Sequence, residues 1–128
     1  TLVRIVQALV GLTNTYQLRT DCLNERFETY RYRGKTLLIG PDVRGDFLME
    51  RGASILKVLV GGDPISAEGK GLNGDFPMFG VFNIVVTCNS RLRVRLESDS
   101  GAWRRRLLVV RYEKPPPTKR ILALRNCG

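Results

Sequence analysis

Histidine is absent from the 128 residues, and the three cysteines, Cys22, Cys88 and Cys127, are an odd number with no CxxC pair among them. Without a histidine to complete a ligand set, a zinc site is not expected, and three scattered thiols give no disulfide framework; a reducing, cytosolic setting, bacterial or phage-infected, fits this usage better. Long apolar runs are missing too. The longest falls far short of the roughly 20 residues a membrane helix needs, and Arg4 and Gln7 interrupt the opening stretch, which has no small-residue cleavage site after it and so does not read as a signal peptide. No membrane partner is expected. Acids are scarce beside bases, 12 against 21, which leaves a formal charge of +9. There is no internal repeat.

What is present is enough for one domain with a real core, since 43% of the chain is hydrophobic, and too little for a second domain of any size. The charge points to a polyanionic partner, nucleic acid first. Arginine heavily outnumbers lysine, which favours planar, bidentate contacts to phosphate, base edges or carboxylates, with a solvated basic surface as the plain alternative.

Along the chain, Leu2, Ile5, Val6 and Leu9 stand at helical spacing, with Val3 and Val10 widening the apolar face and Gly11 as a stop, so residues 2–12 are expected to form an amphipathic helix with one face in a core. A short strand is expected over residues 15–20, and Asp21 offers an N-cap for a helix near residues 22–29. The run Thr36-Leu37-Leu38-Ile39-Gly40 has the continuous apolar character of a strand buried on both faces. Residues 47–60 read as a helix capped by Asp46 and weakened by Gly52, and residues 65–80, rich in glycine and proline, as a long hairpin with an exposed tip. Residues 82–88 and 107–112 read as strands, and Pro115-Pro116-Pro117 forces an extended break before a short basic tail. Strands alternating with helices predict an α/β fold with a mainly parallel sheet over residues 1–114 and a tail over 115–128.

Gly34-Lys35-Thr36 has the ending of a phosphate loop, G-x-x-x-x-G-K-[ST], but the position of the first glycine is held by Thr29. The context is inverted as well, because a strand follows the motif where a helix N-terminus should converge on the phosphates. Lys35 is therefore not assigned to phosphate binding.

Four blocks remain: GKTLLIGPDV, LKVLVGGDPISAEGKG, FNIVVTCNSRLRV and GAWRRRLLVVRYEKPPP. In this order, each on the expected type of element, they resemble the superfamily 3 helicase domain of poxvirus-type and of phage or plasmid primase-helicases, over residues 1–115. The resemblance implies an AAA+-like P-loop NTPase core whose parts begin after the nucleotide cradle, with Thr1 resembling the Mg-binding Ser/Thr of the Walker A motif or its neighbour. It implies ATP and Mg²⁺ as cofactors of an intact domain, with neither bound tightly by this chain alone, and single-stranded DNA as the track. A homo-oligomeric ring, a hexamer, and a primase domain upstream are also implied.

Residue by residue, Asp42 at the end of the buried strand resembles the Walker B acid, a carboxylate that holds Mg²⁺ beside the β- and γ-phosphates. Read without the family, it is equally a turn residue after Pro41. Asn89 resembles the first-sensor asparagine, a neutral amide that positions water without titrating, or else it closes an Asn-Ser turn. Arg104, Arg105 and Arg106 after Trp103 resemble an arginine finger, with Arg105 the central register and a basic surface turn the alternative. The stretch 61–80 resembles the segment that carries a DNA-contacting hairpin, in which Asp63-Pro64 shapes the turn. Lys57, Lys70 and Asn73 are candidate DNA contacts, and Phe76 offers a stacking face or else packs in the core. Arg91, Arg93 and Arg95 alternate with apolar residues, so their shared basic face lines a DNA channel or meets a neighbouring subunit's acids. The function implied is that of a fragment of an ATP-driven DNA helicase or translocase of the primase-helicase type in phage, plasmid or mobile-element replication, inactive by itself without the phosphate loop; the alternative is a non-enzymatic basic module, derived from such a domain, that binds single-stranded DNA or a replication partner.

Overall fold

Among the described residues, Leu37, Leu38, Ile39 and Gly40 form the one strand that is buried along its whole length. In the computed structural model, which describes residues 2–49, 52–93, 100–115 and 118, this strand, β2 (Leu37–Gly40), lies between β1 (Thr15–Gln17) and β5 (Asn83–Val86). All three run parallel, in the order β1-β2-β5. Leu38 stands opposite Tyr16 on one side and Ile84 on the other. A strand with a neighbour at each edge and cover on both faces has no polar side to show, which is why it reads as an unbroken apolar run. The chain is thus a small α/β domain with a three-stranded parallel sheet.

Among the described residues, three α-helices accompany the sheet. Helix α1 (Leu2–Val10) meets β2 and ends at Gly11, whose φ of 93° takes the chain out of helical geometry. The expectation that its apolar face would enter a core is not met. None of its residues is buried; Val3, Val6 and Val10 make a half-buried stripe, while Leu9 is 82% exposed. Helix α2 (Ala53–Gly61) buries Ala53, Leu56 and Leu59 and stops at Gly62, a left-handed C-cap with φ 75° whose N–H bonds the Val58 carbonyl. The expected helix over 47–60 is therefore divided. Phe47–Met49 is a 3-10 turn, Asp46 gives its carboxylate to Arg44, and Gly52 lies so close to Leu23 that a Cβ there would sit 2.5 Å from the Leu23 Cβ. Helix α3 (Ser100–Arg106) packs on α2 and sends Trp103 into the core.

No α-helix forms at residues 22–29. Backbone bonds from Glu25 to Cys22, Glu28 to Glu25 and Arg31 to Glu28 all span three residues, so the chain coils at 3-10 pitch, and Asp21 sits inside a 3-10 turn instead of capping a helix. A buried carboxylate holds this arrangement. The Glu28 side chain is fully buried, bonded by both Arg19 Nε and Nη2, and accepts a 3.0 Å hydrogen bond from the Tyr32 hydroxyl, itself fully buried. Burial first, then the Glu28 charge and the bond to it, holds the Tyr32 phenol far above its usual range. Geometry that serves a long-range ion pair has overridden local helix propensity here.

The hairpin is as expected: β3 (Ile65–Glu68) pairs antiparallel with β4 (Asp75–Met78). Gly71 and Gly74 at its tip take φ of 81° and 84°. Glu68 lies directly opposite Asp75, a like-charge pair that would weaken the ladder. Two contacts offset it, since Arg26 grips Glu68 with Nε at 2.7 Å and with Nη2, and the Ser66 hydroxyl donates to Asp75 Oδ2 at 2.6 Å. Residues 107–112 are not a strand. They carry no regular structure, and Leu108 is 90% exposed, because an apolar β-branched run becomes a strand only beside a neighbour that offers its backbone groups.

Two measurements test this account. Tyr32→Phe removes a hydrogen bond to a buried carboxylate and is expected to lower unfolding free energy by about 1.5–3 kcal/mol in urea titrations; a change below about 0.5 kcal/mol would mean that Glu28 is fully satisfied by Arg19. The second uses pH. The Arg26 contact holds Glu68 below its ordinary value of 4.5, and the Ser66 hydroxyl holds Asp75 below 3.8. Both groups are depressed in the fold, so their contribution is present above those values and is lost as pH falls through the folded ones. Amide exchange in the hairpin should accelerate between about pH 4.5 and pH 3 relative to the three-stranded sheet, and uniform acceleration of both would refute the local assignment.

Candidate functional site

The site begins with the way β2 ends. A Cβ on Gly40 would sit 2.8 Å from Val43 Cγ1 and 3.1 Å from Val86 Cγ1, so glycine lets Val43 fold back over the strand end. Pro41 then fixes one turn residue, and Asp42 follows at φ 51°, the one positive value for a non-glycine residue among those described. The neighbouring strand holds this turn. The Thr87 N–H donates to the Gly40 carbonyl at 3.0 Å, the Val43 N–H to the Thr87 carbonyl at 2.8 Å, and the Asp42 N–H to Thr87 Oγ1 at 2.9 Å.

This stitching carries the pairing of β2 and β5 past both strand ends and brings two predicted residues together. Asn89 Nδ2 donates to Asp42 Oδ1 at 2.7 Å. Both are exposed at the carboxyl edge of a parallel sheet, the edge at which α/β folds bind ligands. The pair offers a fixed carboxylate oxygen and a neutral amide held against it. Cys88, the residue before Asn89, donates its thiol to the Ser90 carbonyl at 2.9 Å and so orders the turn around Asn89.

Beside the pair lies an open cavity of about 570 Å³ where the loop after β2 meets the loop after β5. Arg44, Asp46, Ser90, Arg91 and Arg93 line it, with Gly45 at the junction of the two loops. The junction is tight: the Arg93 N–H bonds the Gly45 carbonyl at 2.7 Å, and a Cβ on Gly45 would meet Ser90 Oγ at 2.5 Å and the Arg91 carbonyl at 2.7 Å. Arg44 Nη2 pairs with Asp46 Oδ2 at 2.9 Å, while Asp46 Oδ1 is buried without a hydrogen-bond partner. Arg91, Leu92 and Arg93 all line the cavity, so the apolar residue is not turned to an opposite face there; Arg95 and Thr1 lie outside the described residues.

The other candidates lie elsewhere. Lys70 and Asn73 are exposed at the hairpin tip. Phe76 is half-buried with its ring edge-on to Tyr30 at 5.9 Å and the Arg33 guanidinium 5.7 Å from its centroid, so its faces are engaged within the fold. Lys57 lies over the Trp103 ring at 5.6 Å. Arg104, Arg105 and Arg106 form the exposed last turn of α3, where Arg105 and Arg106 donate to the Gly101 and Ala102 carbonyls of their own helix. Cations suit that end of a helix. Lys35 Nζ bonds the Thr13 carbonyl at 2.7 Å, in keeping with its rejection as a phosphate ligand. Asp63 follows the Gly62 cap, its N–H on the Val58 carbonyl, as a turn-shaping residue should. Burial and a bond to Glu25 raise the Cys22 thiol, which disfavours a nucleophilic thiolate there.

Sequence reasoning missed Thr87, Arg44 and Gly45. Thr87 carried a signal, a hydroxyl placed at the end of an apolar strand just before Asn89. Arg44 and Gly45 carried none, because their part depends on which loop comes to lie against them.

The fold and this edge define a small α/β domain with a polar pair and an arginine-lined cavity at the carboxyl ends of parallel strands. The chain belongs to a family of unknown function, DUF5906, which matches residues 1–106. No curated protein matches it in sequence. Among the described residues no helix is long and apolar enough to cross a membrane.

The turn at Asp42 separates a backbone role from a chemical one. Asparagine tolerates positive φ and keeps an acceptor for Asn89, so Asp42→Asn should stay within about 0.5 kcal/mol of wild type in urea unfolding. Alanine has neither property, and Asp42→Ala should cost about 1–2 kcal/mol. Equal stability of the two variants would show that the Asn89 contact and the turn geometry contribute nothing.

Proposed function

We propose that this domain is part of a nucleotide-hydrolysing DNA translocase domain of the P-loop NTPase class, AAA+-like, acting in DNA replication, with the phosphate loop that cradles the nucleotide supplied outside these residues. The observation that carries the reading is the 2.7 Å bond between Asn89 and Asp42 at the ends of adjacent parallel strands. Phosphoryl transfer asks for an acid and a neutral water-positioning group side by side at that edge. The resemblance of the four sequence blocks to superfamily 3 helicases supports the same roles.

The donor set suits a metal that arrives with a nucleotide. Among the described residues no group of three or more His, Cys, Asp or Glu could hold an ion, whereas a Mg²⁺-nucleotide brings phosphate and water oxygens and needs only one or two carboxylates from the protein. Asp42 is that carboxylate. Bound there, Mg²⁺ would neutralise charge on the phosphates. Asn89 both anchors Asp42 and presents an uncharged amide to the water that attacks, so its orienting role does not depend on pH. Arg104, Arg105 and Arg106, exposed on α3, are the groups a ring would supply to a neighbouring subunit's site. Lys70 and Asn73 at the hairpin tip would meet the DNA backbone.

A second reading, a basic module that binds single-stranded DNA without hydrolysis, is favoured by one observation: Arg105 and Arg106 bond carbonyls of their own helix. The two readings separate in one assay on the natural protein that carries this domain. Mg²⁺-dependent ATP hydrolysis should be stimulated by single-stranded DNA. Asn89→Ala should lower turnover about 100-fold or more while nucleotide affinity stays within about threefold. Mixing Arg105→Ala with Asp42→Ala subunits should restore part of the activity, since some composite sites then hold both groups. DNA binding with no hydrolysis would select the second reading, and hydrolysis indifferent to both Asn89 and Asp42 would remove the site.

A further inference from the structure

We infer that Thr87 is a positioning residue for the proposed reaction: its hydroxyl holds Asp42 in the turn conformation that aims the carboxylate at Asn89 and at the ligand edge of the sheet. The inference deepens the proposed roles of Asp42 and Asn89 and rests on them.

Its origin is a backbone outlier. Asp42 has φ 51°, the one positive value for a non-glycine residue among those described. An L-residue holds that conformation at a cost, and keeps it only where its surroundings fix it. The value of φ also decides where Cβ leaves the chain. Relaxation to an ordinary negative φ would swing the carboxylate away from Asn89 Nδ2, which Oδ1 now meets at 2.7 Å.

Thr87 supplies the restraint with three of its own atoms. Its N–H donates to the Gly40 carbonyl at 3.0 Å, its carbonyl accepts the Val43 N–H at 2.8 Å, and Oγ1 accepts the Asp42 N–H at 2.9 Å. Pro41 has no N–H to give, so the Asp42 amide is the first donor of the turn after Gly40, and the hydroxyl takes it. Only this last bond belongs to a side chain. The two main-chain bonds survive a change of side chain at 87, and substitution there removes the grip on Asp42 alone.

Threonine suits the task because a β-branched side chain is stiff at χ1, which fixes the direction of its hydroxyl. Thr87 is exposed, so packing does not account for it. Asn89 stands two residues further along the same segment. Asp42 is thus held at both ends, its N–H by residue 87 and its Oδ1 by residue 89, and with one oxygen fixed the aim of the other is set.

The test is made in the natural protein that carries this domain, with circular dichroism and thermal unfolding as controls for the fold. Thr87→Val keeps the shape and the β-branch and removes the acceptor; Thr87→Ala is a second hydroxyl-free variant. Each should lower turnover about tenfold with KM for ATP within about twofold, because the aim of the acid matters in the transition state more than in binding. Thr87→Ser should recover most of the lost rate. The double variant Thr87→Val/Asn89→Ala should be no slower than Asn89→Ala alone, since both changes act through one contact and their effects do not add. The side-chain amide resonance of Asn89, read in protein carrying isotope-labelled asparagine and identified by its loss in Asn89→Ala, needs no turnover. Thr87→Val should move it to the position it takes in Asp42→Ala, and Thr87→Ser should leave it near that of wild type.

Unchanged turnover in both hydroxyl-free variants, or a loss as deep in Thr87→Ser, would overturn the inference and leave the proposed function intact. Additive losses in the double variant would reduce Thr87 to a stabilising residue of the loop. An Asn89 resonance unmoved by Thr87→Val would show that the main-chain bonds hold the turn without the hydroxyl. Wild type without Mg²⁺-dependent hydrolysis would refute the proposed function, and this role with it.

Discussion

The pairing of β2 with β5 is the constraint on which the rest depends. A central parallel strand buried on both faces has no water for its backbone, so each N–H and carbonyl must find its partner in the neighbouring strand. Here the pairing runs past the strand ends through Thr87, which bonds Gly40, Asp42 and Val43 in turn. The loops that leave the two strands are thereby held in one register. Asp42 meets Asn89, and Gly45 meets Arg93, because the strands beneath them are fixed.

A second constraint shapes the amino-terminal half. Burying the Glu28 carboxylate is costly unless it is paired and hydrogen-bonded, and Arg19 and Tyr32 supply both. These partners stand on either side of the acid in the chain. To bring them together, residues 19–33 give up α-helical pitch for successive 3-10 turns. The hairpin then rests on this coil through Thr29, which donates to the Ser66 carbonyl at 3.3 Å, and through the Tyr30–Phe76 contact. A like-charge pair at Glu68 and Asp75 is thus tolerated on a surface that other residues have organised.

Features fixed by local chemistry were legible in the sequence. The continuous run at β2, the glycine-rich hairpin, the stop at Gly11 and the turn at Asp63-Pro64 each follow from a few adjacent residues. What failed required knowledge of distant partners. The spacing in α1 revealed a helix but not which part of its apolar face would turn inward: Val3, Val6 and Val10 are half-buried, while Leu2, Ile5 and Leu9 of the same face are exposed. The run at residues 107–112 has strand propensity, yet a strand is a property of two segments. The Asp42–Asn89 pair was legible only through a resemblance of blocks, since 47 residues separate its members. Only the strand register turns that separation into contact.

Core and chemistry are divided between different parts of the chain. The apolar cluster draws on β2, α2, the hairpin, Trp103 and the coil around Tyr32, whereas the polar groups at the sheet's carboxyl edge stand on two short loops, residues 41–46 and 87–93. Those loops contribute little to the core beyond Val43 and the partial packing of Cys88 and Leu92. Arginine at positions 44, 91 and 93 therefore has no packing reason to be there, and surface charge for solubility would not need three guanidiniums on one concave surface beside an unpaired buried oxygen. The scaffold and the polar edge thus come from different segments, and the position of each group at that edge is set by the strand register beneath it and not by packing around its side chain.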